Sequence, residues 1–146
     1  MREAHGRNVA LTLKIAPDLD DEAIRTIAGI VRRERLDGVI ATNTTVARAG
    51  VEQYPDGVQT GGLSGEPLRE RSTRVIRTLA AALGGELPII GVGGILSGAD
   101  AVEKLDAGAA LVQVYTGLIY RGPGLVNECI ETIRDAHRPA SRNQGR

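Results

Sequence analysis

Apolar runs and helix-spaced apolar positions alternate four times along the chain. Val9 to Ile15 is a run of strand length, and Ile24, Ile27, Ala28 and Val31 then recur at i, i+3, i+4 and i+7, the spacing of one buried helix face. Gly38 to Thr42 predicts a second strand, and Leu68, Ser72, Val75, Ile76, Leu79 and Leu83 line one side of a second helix. Pro88 to Gly91 is followed by a helix with Ala101, Val102 and Leu105 inward, whose start pairs Ser97 with Asp100 in the manner of a capping box. Leu111 to Val114 leads into a last helix with Val126, Cys129, Ile130 and Ile133 inward. The strands are short and almost continuously apolar, which predicts a parallel sheet covered on both faces. Strand and helix in strict alternation place the chain in the α/β class.

The same βα unit builds open doubly wound sheets and closed barrels. A dinucleotide-binding sheet would carry GxGxxG after its first strand, whereas the glycine clusters here follow the second, third and fourth. The pattern therefore favours a parallel (βα)8 TIM-barrel type. At 146 residues the chain is well short of the roughly 250 of a closed eight-stranded barrel. The expectation is one domain over residues 1–137, made of four βα units, followed by a polar, aperiodic and mobile tail over 138–146.

Composition narrows the function classes. Eighteen basic and eighteen acidic residues cancel, and no basic run is concentrated enough to attract nucleic acid. Cys129 is the single cysteine and can form no internal disulfide. No apolar stretch approaches the ~18 residues of a membrane span, so the chain by itself reads as cytoplasmic. His5 and His137 lie near opposite termini without metal-ligand spacing and are read as surface residues, so no metal is expected. Asp18, Asp20, Asp21 and Glu22 suit a helix start, where negative charge is favoured. Cys129 falls on an inward helical stripe and is read as core.

The chain has only two lysines. Lys104 sits on the third helix and reads as solvated. Lys14 lies near the carboxyl end of the first strand, where barrel active sites are built, and an ammonium there can neutralise a developing anion. Its alternative is to point to water or to pair with Asp18. Thr42-Asn43-Thr44-Thr45 at the end of the second strand offers donors and acceptors to a planar polar ligand, or else is an ordinary polar turn. A long loop then runs to Gly61-Gly62-Leu63-Ser64-Gly65, whose glycines allow close backbone approach. Gly91-Val92-Gly93-Gly94 precedes a capped helix, an arrangement that binds phosphate. Tyr115-Thr116-Gly117 leads into Leu118-Ile119-Tyr120, which fits a one-turn extra helix. Two such loops in succession match the phosphate site that barrels carry after strands seven and eight. The four strands would then be the fifth to eighth, with the first four outside this chain; the alternative is that the glycines serve tight turns only.

Lys14-Ile15-Ala16-Pro17-Asp18-Leu19, Ala41 to Thr45, Gly61 to Gly65, Ile90 to Ile95 and Val112 to Gly117 occur in an order and spacing that resembles the carboxyl-terminal half of dihydroorotate dehydrogenases, over about Val9 to His137. Tyr115-Thr116-Gly117 with Ile119 to Pro123 resembles the quinone-dependent class. The resemblance implies an FMN-containing barrel that oxidises dihydroorotate to orotate in pyrimidine (UMP) biosynthesis, with a quinone as electron acceptor, peripheral on the cytoplasmic face of the inner membrane. It implies that Lys14, Thr42, Gly65, Gly94, Tyr115 and Thr116 hold FMN and that Asn43 and Thr44 hold the pyrimidine. The class takes its catalytic serine base from the first half of the barrel, so no catalytic residue is expected in this chain, and Ser64 or Ser97 does not replace it. The missing amino-terminal half becomes an expected partner. Two alternatives remain open: a noncatalytic half-barrel that binds a phosphate-bearing ligand or self-associates through its open edges, and another FMN-dependent barrel oxidoreductase.

Overall fold

The computed structural model describes residues 9–138; His5 and all of the polar tail after Arg138 lie outside the described residues. Four parallel strands form one sheet in sequence order: β1 (Thr12–Ile15), β2 (Gly38–Ala41), β3 (Ile89–Val92) and β4 (Leu111–Gln113). Helices α1 (Asp21–Arg33), α2 (Arg69–Leu83) and α3 (Gly98–Asp106) connect them, and α4 (Thr116–Arg121) and α5 (Gly124–Ala136) follow β4. The first strand is shorter than its apolar run predicts, because pairing with β2 begins at Thr12 opposite Gly38. Leu11 instead accepts from the Asp37 amide at 2.9 Å and donates to the Asp37 carboxylate at 2.6 Å.

Local chemistry sets the helix ends. The Asp20 carboxylate caps α1 through the Ala23 amide at 2.8 Å, and Asp21 and Glu22 occupy its first turn, as the acidic run predicts. Ser97 caps α3 through the Asp100 amide at 3.2 Å, and the Asp100 carboxylate returns bonds to the Ser97 hydroxyl and the Leu96 amide. Gly84, at φ +60°, ends α2 in the left-handed region.

Register sorts the side chains by face. Leu13, Val39 and Ile89 share one row, and Ile15, Ala41, Gly91 and Val112 another. On this outer face Ile24, Ala28 and Val31 of α1 meet Val75, Ile76, Leu79 and Leu83 of α2 in one core. Ile95, Ala101, Leu125 and Cys129 form a second cluster where α3 packs on α5. The opposite face carries Thr12, Lys14, Ile40, Ile90, Leu111 and Gln113. It is not covered as the apolar strands predict: Leu111 and Lys14 are exposed, and Ile40 and Ile90 are only partly buried. The sheet is open, with β1 and β4 at its edges. A barrel buries this inner face against its own remaining strands, which explains apolar runs whose second face is bare here.

Three further expectations change. Val126 and Ile130 on α5 are 41% and 48% exposed, while Leu125 and Cys129 take the buried positions. On α3, Ala101 is buried as expected, but Val102 and Leu105 are only partly so. Lys104 is not solvated: it is fully buried between α3 and α2, because three acceptors on α2 meet its ammonium.

Candidate functional site

The carboxyl ends of all four strands converge on one cavity of about 250 Å³. Each contributes differently. Lys14 reaches it from the inner face of β1, exposed, with no hydrogen bond or ion pair to another described residue. Asp18 does not pair with it. That carboxylate instead accepts from the Thr45 hydroxyl at 2.5 Å, the Val46 amide at 3.0 Å and the Arg71 guanidinium at 3.0 Å. Burial opposes its ionisation, but the bonds from Thr45, Val46 and Arg71 outweigh that and hold its pKa below the ordinary value.

After β2 the chain enters the cavity wall. The Thr42 amide donates to the Val92 carbonyl at 2.9 Å and the Asn43 amide to the Ile15 carbonyl at 2.8 Å, tying this segment to β3 and β1. The peptide between Ala41 and Thr42 is cis. Thr42 is buried, whereas Asn43 and Thr44 face the cavity with exposed side chains. The long loop that follows is closed at its base by an antiparallel bridge between Thr45 and Leu63, with N–O distances of 3.0 and 2.7 Å. Gly62 lies directly over Thr44, where a Cβ would stand 2.0 Å from the Thr44 hydroxyl. Arg48 spans the loop to the Gln59 and Gly61 carbonyls at 2.8 and 2.6 Å.

The opposite end of the cavity is lined by backbone. Gly65, Gly93 and Gly94 all have φ between +72° and +119°, and all three border the cavity. The Thr116 hydroxyl donates to the Ser64 hydroxyl at 2.9 Å, joining the loop before α2 to the start of α4. Tyr115 and Thr116 stand at the rim, with Tyr115 exposed. The predicted one-turn helix is the six-residue α4. Thus Lys14, Thr42, Asn43, Thr44, Gly65, Gly94, Tyr115 and Thr116, five segments apart in sequence, border one space. Gln113, missed from sequence, also lines it; the alternation Leu111, Val112, Gln113 along β4 was the available signal, since Val112 packs outward.

The electrostatics have one sign. Of the sixteen lining residues none is Asp or Glu, and Lys14 is the single formal charge. An elongated ligand would meet hydroxyl and amide groups with an ammonium at one end and glycine backbone at the other. This suits an anion, most simply a phosphate ester carrying a polar ring.

The family model for dihydroorotate dehydrogenase matches residues 2–136. The chain belongs to the dihydroorotate dehydrogenase family. It is 62% identical over 133 residues to a dihydroorotate dehydrogenase (quinone) of Thiobacillus denitrificans, covering 91% of this chain and 40% of that one. To the same-named protein of Chromobacterium violaceum it is 64% identical over 129 residues, 88% of this chain and 38% of that one. The crystal structure of ligand-free DHODH from Eimeria tenella superposes with a TM-score of 0.85 at 40% identity, over 93% of this chain and 38% of the other. The chain thus spans about 40% of the length of the curated relatives it matches. The open four-stranded sheet is part of a (βα)8 barrel. Among the described residues no helix is long and apolar enough to cross a membrane.

Proposed function

We propose that this chain forms the FMN- and pyrimidine-facing part of a quinone-dependent dihydroorotate dehydrogenase, which oxidises dihydroorotate to orotate in pyrimidine biosynthesis on the cytoplasmic face of the inner membrane. The observation that carries the proposal is the single cavity that gathers all eight residues implied by the family resemblance, with no carboxylate in its lining. FMN fits the donor set. Its phosphate is an anion for the backbone of Gly65 and Gly94 and for the Thr116 hydroxyl, and Tyr115 borders the same end. Lys14 and Thr42 would meet the flavin ring, Lys14 as an ammonium free of any carboxylate partner among the described residues.

Bound FMN would supply the two-electron redox chemistry between dihydroorotate and a quinone. The residues of this chain bind and orient. Asn43 can donate to a pyrimidine carbonyl and accept from a pyrimidine N–H through one side chain, and Thr44 adds a hydroxyl beside it. Lys14 stabilises negative charge where it develops on the ring. No residue of this chain is assigned as the base; proton removal from dihydroorotate belongs to the complementary part of the barrel, which also covers the bare inner face and the edges at β1 and β4.

The test is co-production with the amino-terminal part of the Thiobacillus denitrificans relative. Flavin bound at one equivalent and orotate formed only in the combined protein is the expected result. Orotate formation by the chain alone refutes the assignment of the base elsewhere. Orotate affinity unchanged after Asn43→Ala with Thr44→Ala refutes the substrate assignment.

A further inference from the structure

The glycine loop between β3 and α3 is braced from behind by a lysine that sequence reading would leave in solvent. Lys104 is fully buried, and its Nζ donates to the Arg69 carbonyl at 2.8 Å, the Ser72 hydroxyl at 2.8 Å and the Thr73 hydroxyl at 2.5 Å. An ammonium has three N–H donors, and each has its acceptor. None of the three is a carboxylate. Asp100, one turn earlier on the same helix, is occupied by Arg69, the Leu96 amide and Ser97.

The network continues into the cavity wall. The Ser72 hydroxyl, which accepts from Lys104, donates to the Gly93 carbonyl at 3.0 Å, with the Arg69 carbonyl also within reach at 2.9 Å. Gly93 and Gly94 lie flush on the first turn of α2: a Cβ on Gly93 would stand 3.0 Å from Ser72 Cβ, and one on Gly94 would stand 2.4 Å from Arg69 Cα. Lys104 therefore grips the turn against which the loop is seated. The lysine stem packs closely on β3 at Gly91, where a Cβ would stand 3.1 Å from Lys104 Cβ and 3.0 Å from Ala109 Cβ.

Packing alone does not call for a cation here. A buried charge without an ionic partner is costly, and positive charge near the amino end of α2 opposes the helix dipole. An apolar side chain of similar length would fill the space. What the ammonium adds is donors for the loop-bearing turn and positive potential behind a cavity wall that lacks acids.

We propose that Lys104 is the positioning residue of the glycine cradle: it fixes the first turn of α2 and, through Ser72, the Gly93 carbonyl, and it places buried positive charge behind the loop for the phosphate group of an anionic ligand. The electrostatic half of this rests on the phosphate-ester reading of the cavity above. Burial pushes the Lys104 pKa down to about 8; Glu103 and Asp100 on α3 oppose that shift, while Arg69 and Arg77 on α2 add to it. β3 presents Gly91 and no titratable side chain. At neutral pH the ammonium form predominates, and a phosphate in the cradle stabilises it further.

The experiment is NMR on the full chain with 15N-labelled glycine. The Gly93 and Gly94 amide signals are expected to titrate with a midpoint near 8, while Gly84 at the far end of α2 does not follow. Lys104→Met is expected to abolish that titration. At pH 7, inorganic phosphate is expected to shift the two signals and to bind about tenfold more weakly to Lys104→Met, the scale of one buried charge acting through the loop without contact. Signals of Gly93 and Gly94 that ignore pH between 7 and 9, or equal phosphate affinity in both proteins, overturn the proposal. If the two signals follow Lys104 but phosphate leaves them unmoved in the unsubstituted chain, the phosphate reading and the electrostatic half fall together, and the link from Lys104 through Ser72 to Gly93 stands. Should Lys104→Met fail to fold, Ser72→Ala keeps the lysine and cuts the link. The Lys104 Cε signals should then still titrate while Gly93 does not, and a Gly93 signal that continues to follow them overturns the proposal.

Discussion

Lys104 makes the stability of this chain depend on pH in an unusual direction. Its folded pKa is about 8, against 10.5 for the free side chain. The difference of about 2.5 units corresponds to roughly 3 kcal/mol at 1.36 kcal/mol per unit. Below pH 8 both folded and unfolded chains carry the proton, and the folded state bears the whole penalty of burying it. Between pH 8 and 10.5 the unfolded chain still holds a proton that the folded chain has released, so it binds more protons and stability rises with pH. Above 10.5 both forms are neutral and the penalty is gone. A lysine paired to a carboxylate would behave in the opposite way, losing stability over the alkaline range.

The assay is urea denaturation followed by circular dichroism at pH 7.5, 9.0 and 10.5, for the unsubstituted chain and for Lys104→Met. Subtracting the variant removes whatever other groups contribute. The difference is expected to move by roughly 3 kcal/mol in favour of the unsubstituted chain from pH 7.5 to 10.5, with unchanged m-values. At pH 7.5 the variant should be about as stable as its parent, because exchanging a buried ion for an apolar group of similar volume is often neutral or stabilising. A difference that moves by less than about 1 kcal/mol would mean that water reaches the ammonium and that the network to α2 does not desolvate it. A difference of the opposite sign would mean that Asp100 or Glu103 pairs with it directly.

Other perturbations separate the parts of the site. Gly94→Ala sets a Cβ 2.4 Å from Arg69 Cα at φ +72°, so it should destabilise the chain by at least about 2 kcal/mol in urea melts, whereas Gly84→Ala, at φ +60° with open space around it, should cost only about 1. Asp18→Ala removes the acceptor of Thr45, Val46 and Arg71; the Val46 amide should exchange faster with solvent, with a loss of about 1–2 kcal/mol. Because the Asp18 pKa is lowered in the fold, that contribution is present above about pH 4, the ordinary aspartate pKa, and fades as pH falls through the folded value, so parent and variant should converge in acid. Ile130→Glu, on the half-exposed side of α5, should change the stability of the chain alone by no more than about 0.5 kcal/mol yet weaken its association with the complementary part of the barrel; equal association would place that interface elsewhere.

Periodicity made the outer layer legible because the sheet and helices bury it locally. Ile24, Ala28 and Val31 on α1 and the six predicted positions from Leu68 to Leu83 are all buried, since each faces a neighbour one βα unit away. The inner face was misjudged for the converse reason. Ile40, Ile90 and Leu111 are as apolar as core strand residues, but what buries such positions in a barrel lies several strands distant, and no pattern within four strands reveals whether it is present. Val126 and Ile130 were placed inward by the same logic. Their stripe is apolar, but α3 covers only the side of α5 that carries Leu125 and Cys129.

The cavity was legible where residue type and strand position coincide. Polar groups at the carboxyl ends of parallel strands have one common place to go, so Lys14, Asn43, Thr44 and Thr116 could be assigned to one site before any distance was known. Lys104 escaped the same reasoning because the apolar spacing puts Ala101, Val102 and Leu105 inward, and a lysine outside that stripe is read by its usual chemistry rather than by its partners. Only three-dimensional proximity shows that Arg69, Ser72 and Thr73, more than thirty residues earlier, present three acceptors to it. Those acceptors lie on one turn for a reason: Ser72 and Thr73 follow the loop-bearing start of α2 at helical spacing, so their hydroxyls and the Arg69 carbonyl share one side of the helix. A hydroxyl pair one turn into a helix, with a lysine on the next helix of a βα barrel, is therefore a pattern that could locate a braced glycine loop from sequence in other chains of this architecture.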